Sequence, residues 1–169
     1  MATFLRDPHV LRASVIATQE LWHNKYNDTT HQPARLTHQL LYPKASNHNG
    51  VPTRVALYIS KQINPASWTH TVVSPDYQIL HIRYSQGEEP WDLYIHNIYN
   101  NTKLDTLTTL DQCISQLSTT PTTEHLIVGD INLHHLAWGG ASTAIDSQAI
   151  ALLESIDRHE IELARRKDW

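Results

Sequence analysis

Six segments of this chain have the length and composition of β-strands, and they constrain its fold more than any other feature. They are rich in β-branched and aromatic residues and cover residues 14–18, 51–60, 68–74, 77–85, 91–99 and 124–130. The linker "QGEEP" (86–90) predicts a hairpin between two of them. Helical patterns cover residues 7–13, 102–118 and 143–163. Strand hairpins mixed with helices predict an α/β or α+β fold in which helices cover the sheets.

The helical segments carry specific expectations. In segment 7–13, Asp7 is expected as the N-cap with Pro8 at the first helical position. In segment 143–163, the 3.6-residue period predicts one inward face, made by Ile145, Ala149, Leu152, Leu153 and Ile156. The 12 histidines lie mostly on polar segments, so they are expected at the surface.

Composition limits the class of protein. A chain of 169 residues with 40% hydrophobic residues predicts one domain with a real core. The formal net charge of −4 counts against binding a nucleic acid duplex by charge alone. No apolar run is long enough to cross a membrane, and Arg6 and Asp7 interrupt the region where a signal peptide would be apolar. Cys113 is the single cysteine, so no internal disulfide forms and an intracellular location is expected.

A cluster of polar side chains directly follows the apolar run "HLIV" (125–128). The stretch "GDINLHHLAWGG" (129–140) contains Asp130, Asn132, His134, His135 and Trp138. Buried polar groups are unfavourable unless they are solvated or bound to something. The strand is therefore expected to act as a rigid support for a functional cluster at its end.

Two more polar residues follow predicted strands. Glu20 comes after "VIATQ" and Tyr99 after "LYIHNI". Two carboxylates are a poor zinc site but a fair Mg²⁺ site, because Mg²⁺ takes oxygen ligands and keeps several waters. An amide and a phenol can hold phosphate oxygens. Glu20, Asp130, Asn132 and Tyr99 therefore predict metal-assisted hydrolysis of a phosphate ester.

Three motifs, in this order and at this spacing, resemble the endonuclease/exonuclease/phosphatase superfamily. They are "IATQELW" (16–22), "HNIYNNT" (96–102) and "GDINLHHLAWGG" (129–140). The resemblance is greatest to the endonuclease domain of LINE-type, non-LTR retroelements. It implies a four-layered α/β sandwich, in which two mostly antiparallel sheets pack face to face with helices outside.

The resemblance also implies roles for single residues. Glu20 and Asp130 would bind Mg²⁺ (or Mn²⁺), Asp130 and Asn132 would orient water and phosphate, Tyr99 would contact the phosphate, and His135 would brace the site. Three further residues would contact the substrate: His134, Trp138 and Asn101. The implied substrate is the phosphodiester backbone of DNA. The implied partner is a reverse transcriptase domain, and the implied location is the nucleus.

Some of the family's features have no counterpart in this sequence. The family's opening strand carries an Asn that would precede residue 1, and its Ser-Asp-His motif would follow Trp169. Residues 1–169 are therefore expected to be a partial domain, inactive on its own. Two alternatives remain, a non-catalytic remnant or interaction module, and another phosphoesterase of the same superfamily. A zinc site is not supported, because "RHEIEL" (158–163) lacks the second His of a zinc protease helix.

Overall fold

The computed structural model describes residues 4–20, 34–85, 90–101, 105–117, 120–138 and 145–162. Within these ranges the strands are β1 (Val15–Gln19), β2 (His38–Leu41), β3 (Val55–Ser60), β4 (Trp68–Ser74), β5 (Tyr77–Tyr84), β6 (Trp91–Tyr99) and β7 (Thr123–Asp130). The α-helices are α1 (Thr106–Leu117) and α2 (Ser147–Arg158). Short 3₁₀ turns lie at Phe4–Arg6, Val10–Arg12, Ala45–His48, Pro65–Ser67 and Leu136–Trp138.

The strands form two sheets that pack face to face. One has the order β1-β3-β2 and is antiparallel, and the other has the order β4-β5-β6-β7. Strands β4, β5 and β6 pair antiparallel, whereas β7 runs parallel to β6. The core between the sheets joins Leu41, Leu57 and Ile59 of one sheet to Leu80, Ile82 and Ile95 of the other. Burial of this apolar surface holds the sheets together, at about 25 cal/mol per Å².

Helical segments cover the outer faces of both sheets. Leu110 and Ile114 of α1 and Leu152 of α2 pack on the four-stranded sheet at Tyr77, Ile79 and Ile98. On the other side, Leu5 of the first 3₁₀ turn packs with Ile16, Ala34 and Tyr58. The predicted mixed α/β arrangement of face-to-face sheets with helices outside is therefore confirmed. No helix in the described ranges is both long and apolar enough to span a membrane.

Several local expectations were wrong. Segment 7–13 contains a 3₁₀ turn at Val10–Arg12 instead of an α-helix, and Asp7 Oδ1 accepts a hydrogen bond from His9 N at 2.7 Å. Helix α2 begins only at Ser147, so Ile145 lies before it and is 47% exposed. Strand β2 was missed because its four residues, "HQLL", are too short to show a clear period.

The connection from β6 through α1 to β7 positions the polar strand ends. A parallel pair needs a crossover of this kind, and it brings the carboxyl ends of both strands to the same edge of the sheet. In the observed register, Tyr99 at the end of β6 pairs with Asp130 at the end of β7. Two polar residues that are 31 positions apart therefore become neighbours.

Two histidines that were expected at the surface are fully buried. His38 Nε2 lies 2.9 Å from Ala13 O, which ties β2 to the start of β1. His96, 0% exposed, has its Nδ1 2.7 Å from the Tyr77 hydroxyl and its Nε2 2.9 Å from His125 Nδ1. Burial, and then the neighbouring His125, lower the pKa of His96 to about 3. Burial, and then His159, also lower the pKa of His125.

This pair predicts that the protein loses stability between pH 6.5 and about pH 3. Above pH 6.5 both histidines are neutral in the folded and unfolded states, so the network is fully stabilising. Below pH 6.5, only the unfolded chain takes up protons readily. His96 alone therefore lowers the free energy of unfolding by about 1.4 kcal/mol per pH unit. Asp92 and Asp111 have pKa values below 3.8, so they contribute to acid unfolding only below about pH 4.

The measurement is urea unfolding at pH 7 and at about pH 5. The free energy of unfolding should fall by about 2 kcal/mol over this interval from His96 alone. The His96→Gln variant should be less stable at pH 7 but should lose less between the two pH values. An equal loss in both proteins would show that His96 does not control acid stability.

Candidate functional site

Glu20 stands at the end of β1 in an unusual backbone conformation. Its φ of 49° is left-handed, which costs about 1–2 kcal/mol for a residue other than glycine. Its N–H donates to Arg54 O at 2.8 Å, and this bond holds the backbone in place. Its side chain is exposed, and Oε1 accepts a hydrogen bond from the Tyr99 hydroxyl at 3.0 Å. Backbone strain of this kind is concentrated at functional sites.

Tyr99 joins Glu20 to Asp130. Its hydroxyl contacts Glu20 on one sheet, and its backbone pairs with Asp130 on the neighbouring strand of its own sheet. Strands in a ladder lie about 4.8 Å apart, so the side chains of paired residues start close together on one face. The structure thus brings Glu20, Tyr99 and Asp130 to one end of the sandwich.

Gly129 permits the close pairing of β6 and β7 just before Asp130. Its φ is +143°, a backbone conformation that residues with a side chain rarely adopt. A Cβ atom at this position would lie 1.9 Å from Ile98 O and 2.9 Å from Ile98 C. A glycine is therefore required here, because backbone atoms of β6 occupy the space of a side chain.

Two asparagines lock the turns that follow β6 and β7. Asn100 N donates to Asp130 O at 2.7 Å, and Asn100 Nδ2 donates to Ile131 O at 2.8 Å. In return, Asn132 Nδ2 donates to Asn100 O at 3.1 Å. Asn132 N donates to Asp130 Oδ1 at 3.1 Å from a left-handed φ of 51°. The amide nitrogen of Asn132 therefore fixes the loop, and Asn100 is a buried partner that the sequence did not single out.

The histidines of the motif lie on the loop that leads to α2. His134 N donates to Asp146 Oδ2 at 2.7 Å, and Asp146 N donates back to His134 O at 3.2 Å. The His134 side chain is exposed. His135 Nδ1 accepts a hydrogen bond from Ala137 N at 3.0 Å, and the backbone of Trp138 ends the 3₁₀ turn that follows. The loop is therefore anchored to the start of α2.

Asp76 and Arg54 are two charged neighbours of this site that the sequence did not reveal. Asp76 O accepts a hydrogen bond from Tyr99 N at 2.8 Å. Asp76 is a buried residue, 4% exposed, and burial raises the pKa of its carboxyl group. The Arg54 charge and a hydrogen bond from Asn101 oppose that rise. The Arg54 guanidinium lies over the Tyr99 ring, 4.7 Å from its centroid. Asp76 has the sequence context of an ordinary turn residue, so no local pattern distinguished it.

The donor atoms at this end suit a hard cation. In the described ranges, no group of three or more His, Cys, Asp or Glu side chains is arranged to hold a metal ion. Mg²⁺, however, binds through one or two carboxylates and completes its shell with water and substrate phosphate. Glu20 is exposed and Asp130 is partly exposed, and both offer carboxylate oxygens. The residues present therefore fit Mg²⁺ or Mn²⁺ better than zinc.

Comparisons with known proteins show what this chain is similar to. Residues 93–168 match a family model described as endonuclease-reverse transcriptase. The structure is similar to the endonuclease domain of TRAS1, a telomere-specific non-LTR retrotransposon, with a TM-score of 0.65 and 13% identity over 99% of this chain and 69% of that one. No curated protein matches this sequence. These matches confirm the predicted resemblance to non-LTR retroelement endonucleases, and the structural match confirms the sandwich fold.

Proposed function

We propose that this chain belongs to the endonuclease domain of a retroelement and that it cleaves the phosphodiester backbone of DNA with the help of a divalent metal ion. The observation that carries the proposal is the meeting of Glu20, Tyr99 and Asp130 at one end of two packed sheets. The match of residues 93–168 to the endonuclease-reverse transcriptase family supports it. We further propose that residues 1–169 belong to one domain, because the two sheets share a core.

The proposed roles follow from the chemistry of each side chain. Glu20 and Asp130 would hold Mg²⁺ or Mn²⁺, which when bound neutralises the charge that develops on the phosphate. The Tyr99 hydroxyl donates its one proton to Glu20 in this structure. It would donate that proton to a phosphate oxygen instead once Glu20 binds the metal ion. Asp130 and Asn132 would orient the attacking water, since Asn132 N–H fixes the Asp130 carboxylate. His135 would brace this arrangement from the following loop.

The surrounding residues define the proposed substrate side. Asn101 is held beside the site by its bond to Asp76, and the exposed side chain of His134 would contact the substrate. Trp138 is proposed to contact the substrate as well, although its side chain lies outside the described part of the structure. The proposed substrate is DNA. The proposed partner is a reverse transcriptase domain, as the description of the matching family suggests. A retroelement endonuclease would act in the nucleus.

We also propose that residues 1–169 on their own cleave DNA only in trace amounts. Hydrolysis needs a base, held in place by a second group, that removes a proton from the attacking water. Among the described residues, the bond to the Asp130 carboxylate comes from the N–H of Asn132, and no imidazole is bonded to it. Activation of the water would therefore be inefficient.

Nicking of supercoiled plasmid tests the proposed function. Purified protein should nick at a trace rate that requires Mg²⁺ and disappears in the Asp130→Asn variant. The matched control is Asp157→Asn, which removes the same charge from an exposed position near the carboxyl end of α2. Nicking that persists without metal or in Asp130→Asn would contradict the proposed site. The alternative of a non-catalytic interaction module predicts neither nicking nor metal binding.

A further inference from the structure

Arg54 lies between two residues of the candidate site. Its main-chain carbonyl accepts the Glu20 N–H at 2.8 Å, and its guanidinium lies over the Tyr99 ring. Its own N–H donates to Pro75 O at 3.0 Å, next to Asp76. The start of β3 therefore fixes the Arg54 backbone, and the side chain extends toward the Glu20–Tyr99 pair.

Among the described residues, the Arg54 guanidinium has unused hydrogen-bonding capacity. It is half-buried, and within the described ranges its N–H groups form no hydrogen bond and no ion pair. Asp76 is near enough for the Arg54 charge to lower the Asp76 pKa, but it forms no ion pair with Arg54 in the part of the chain described. A partly desolvated guanidinium is unfavourable when its five N–H donors lack an acceptor to bond to. Binding of water or of a ligand relieves this cost.

The charges around Arg54 also suggest what it would bind. Glu20, Asp130 and Asp76 place three carboxyl groups at this end, so a positive side chain beside them would favour the approach of a phosphodiester. A guanidinium can give two parallel hydrogen bonds to phosphate oxygens. The contact with the Tyr99 ring is not a hydrogen bond, so it leaves the N–H donors of the guanidinium available.

We propose that Arg54 is a substrate-binding residue that donates hydrogen bonds to a backbone phosphate of DNA bound beside Glu20 and Tyr99. The inference rests on the proposed endonuclease function and adds to it a cation that the sequence motifs do not contain. The Tyr99 ring holds the guanidinium in place, and Asp76 supplies a nearby negative charge without occupying its donors.

The test measures binding of a fluorescently labelled DNA duplex by anisotropy, in EDTA and at several salt concentrations. Arg54→Ala should weaken binding about tenfold. It should also reduce the slope of log affinity against log salt by about one, as expected for one lost phosphate contact. Arg54→Lys should keep that slope but lose part of the affinity, because the charge remains and the paired donors do not.

Arg12→Ala is the matched control. It removes the same charge from an exposed position just before β1, at the opposite end of that strand from Glu20. It should leave both affinity and slope nearly unchanged. Thermal unfolding of each variant identifies loss of fold, and Arg54→Lys remains informative if Arg54→Ala unfolds.

The outcomes separate this inference from the proposed function. If the wild-type protein binds the duplex, and the Arg54 variants bind it with the same affinity and slope as Arg12→Ala, Arg54 does not contact the phosphate and the inference is overturned. If the wild-type protein does not bind the duplex at all, the proposed endonuclease function fails as well.

Discussion

Gly129→Ala is expected to leave the protein largely unfolded. The new Cβ would lie 1.9 Å from Ile98 O, and both atoms belong to paired strands that cannot separate without breaking the ladder. Overpacking costs about 1–3 kcal/mol, and a φ of +143° adds about 1–3 kcal/mol of backbone strain. Together these costs amount to about 2–6 kcal/mol, which is enough to unfold a domain whose stability lies at the lower end of the usual range of about 5–15 kcal/mol.

Gly50→Ala is the control for this prediction. Gly50 also has a positive φ, +77°, but nothing lies within 4 Å of the Cβ that would be added. The Gly50→Ala substitution should therefore lower the free energy of unfolding by about 1 kcal/mol, from backbone strain alone. The measurement is the midpoint of urea unfolding, together with the circular dichroism of each purified variant. If the two substitutions are equally tolerated, β6 and β7 do not pair as closely as the structure shows.

Glu20→Gln is expected to abolish most of the metal binding. The amide keeps the size of the side chain and can still accept the Tyr99 hydroxyl, so the local structure should survive. It removes the negative charge, and Mg²⁺ and Mn²⁺ depend on charged oxygen ligands. Loss of a supporting residue around a metal typically weakens binding 10–100-fold, so loss of a ligand should cost at least about tenfold.

Calorimetric titration with Mn²⁺ checks this prediction. Glu124→Gln is the matched control, because it makes the same change at an exposed position near the other end of β7 from Asp130. The control should give the heats of the wild-type protein. Equal heats for wild type and Glu20→Gln would remove Glu20 from the proposed ligands, and an absence of binding in the wild type would argue against a metal site.

The sequence predicted the strands best where turn-forming residues bound them. Strands β4 and β6 have the predicted bounds, because each is a run rich in β-branched and aromatic residues between segments that contain Pro, Asp, Asn or Gly. The two α-helices were predicted but are shorter than their periodic segments. The prediction of a helix over residues 7–13 was wrong, because Asp7 and Pro8 favour a turn as much as a helix. Local chemistry therefore specified which elements form, but not where each of them ends.

The motif order also predicted that polar strand ends would meet. Glu20, Tyr99 and Asp130 each directly follow or end an apolar strand, and such ends are the usual place for a site. Their proposed roles come from chemistry and from the resemblance, and they stay predictions. The sequence by itself thus determined the chemical character of the site, because the carboxylate, amide and phenol groups are set by the residue types and do not depend on the fold.

The tertiary structure decided which groups surround that site. Arg54 and Asp76 belong to no recognisable motif, and Asn100 was given no role within "HNIYNNT". All three nevertheless contact Glu20, Tyr99 or Asp130 through the pairing of strands and the packing of two sheets. The same packing buried His96, which had been expected at the surface with the other histidines. These positions depend on register and on contacts between residues far apart in the chain. A one-residue shift in pairing would turn each side chain to the opposite face, so the register observed is the one that buries the apolar face of each strand against the other elements.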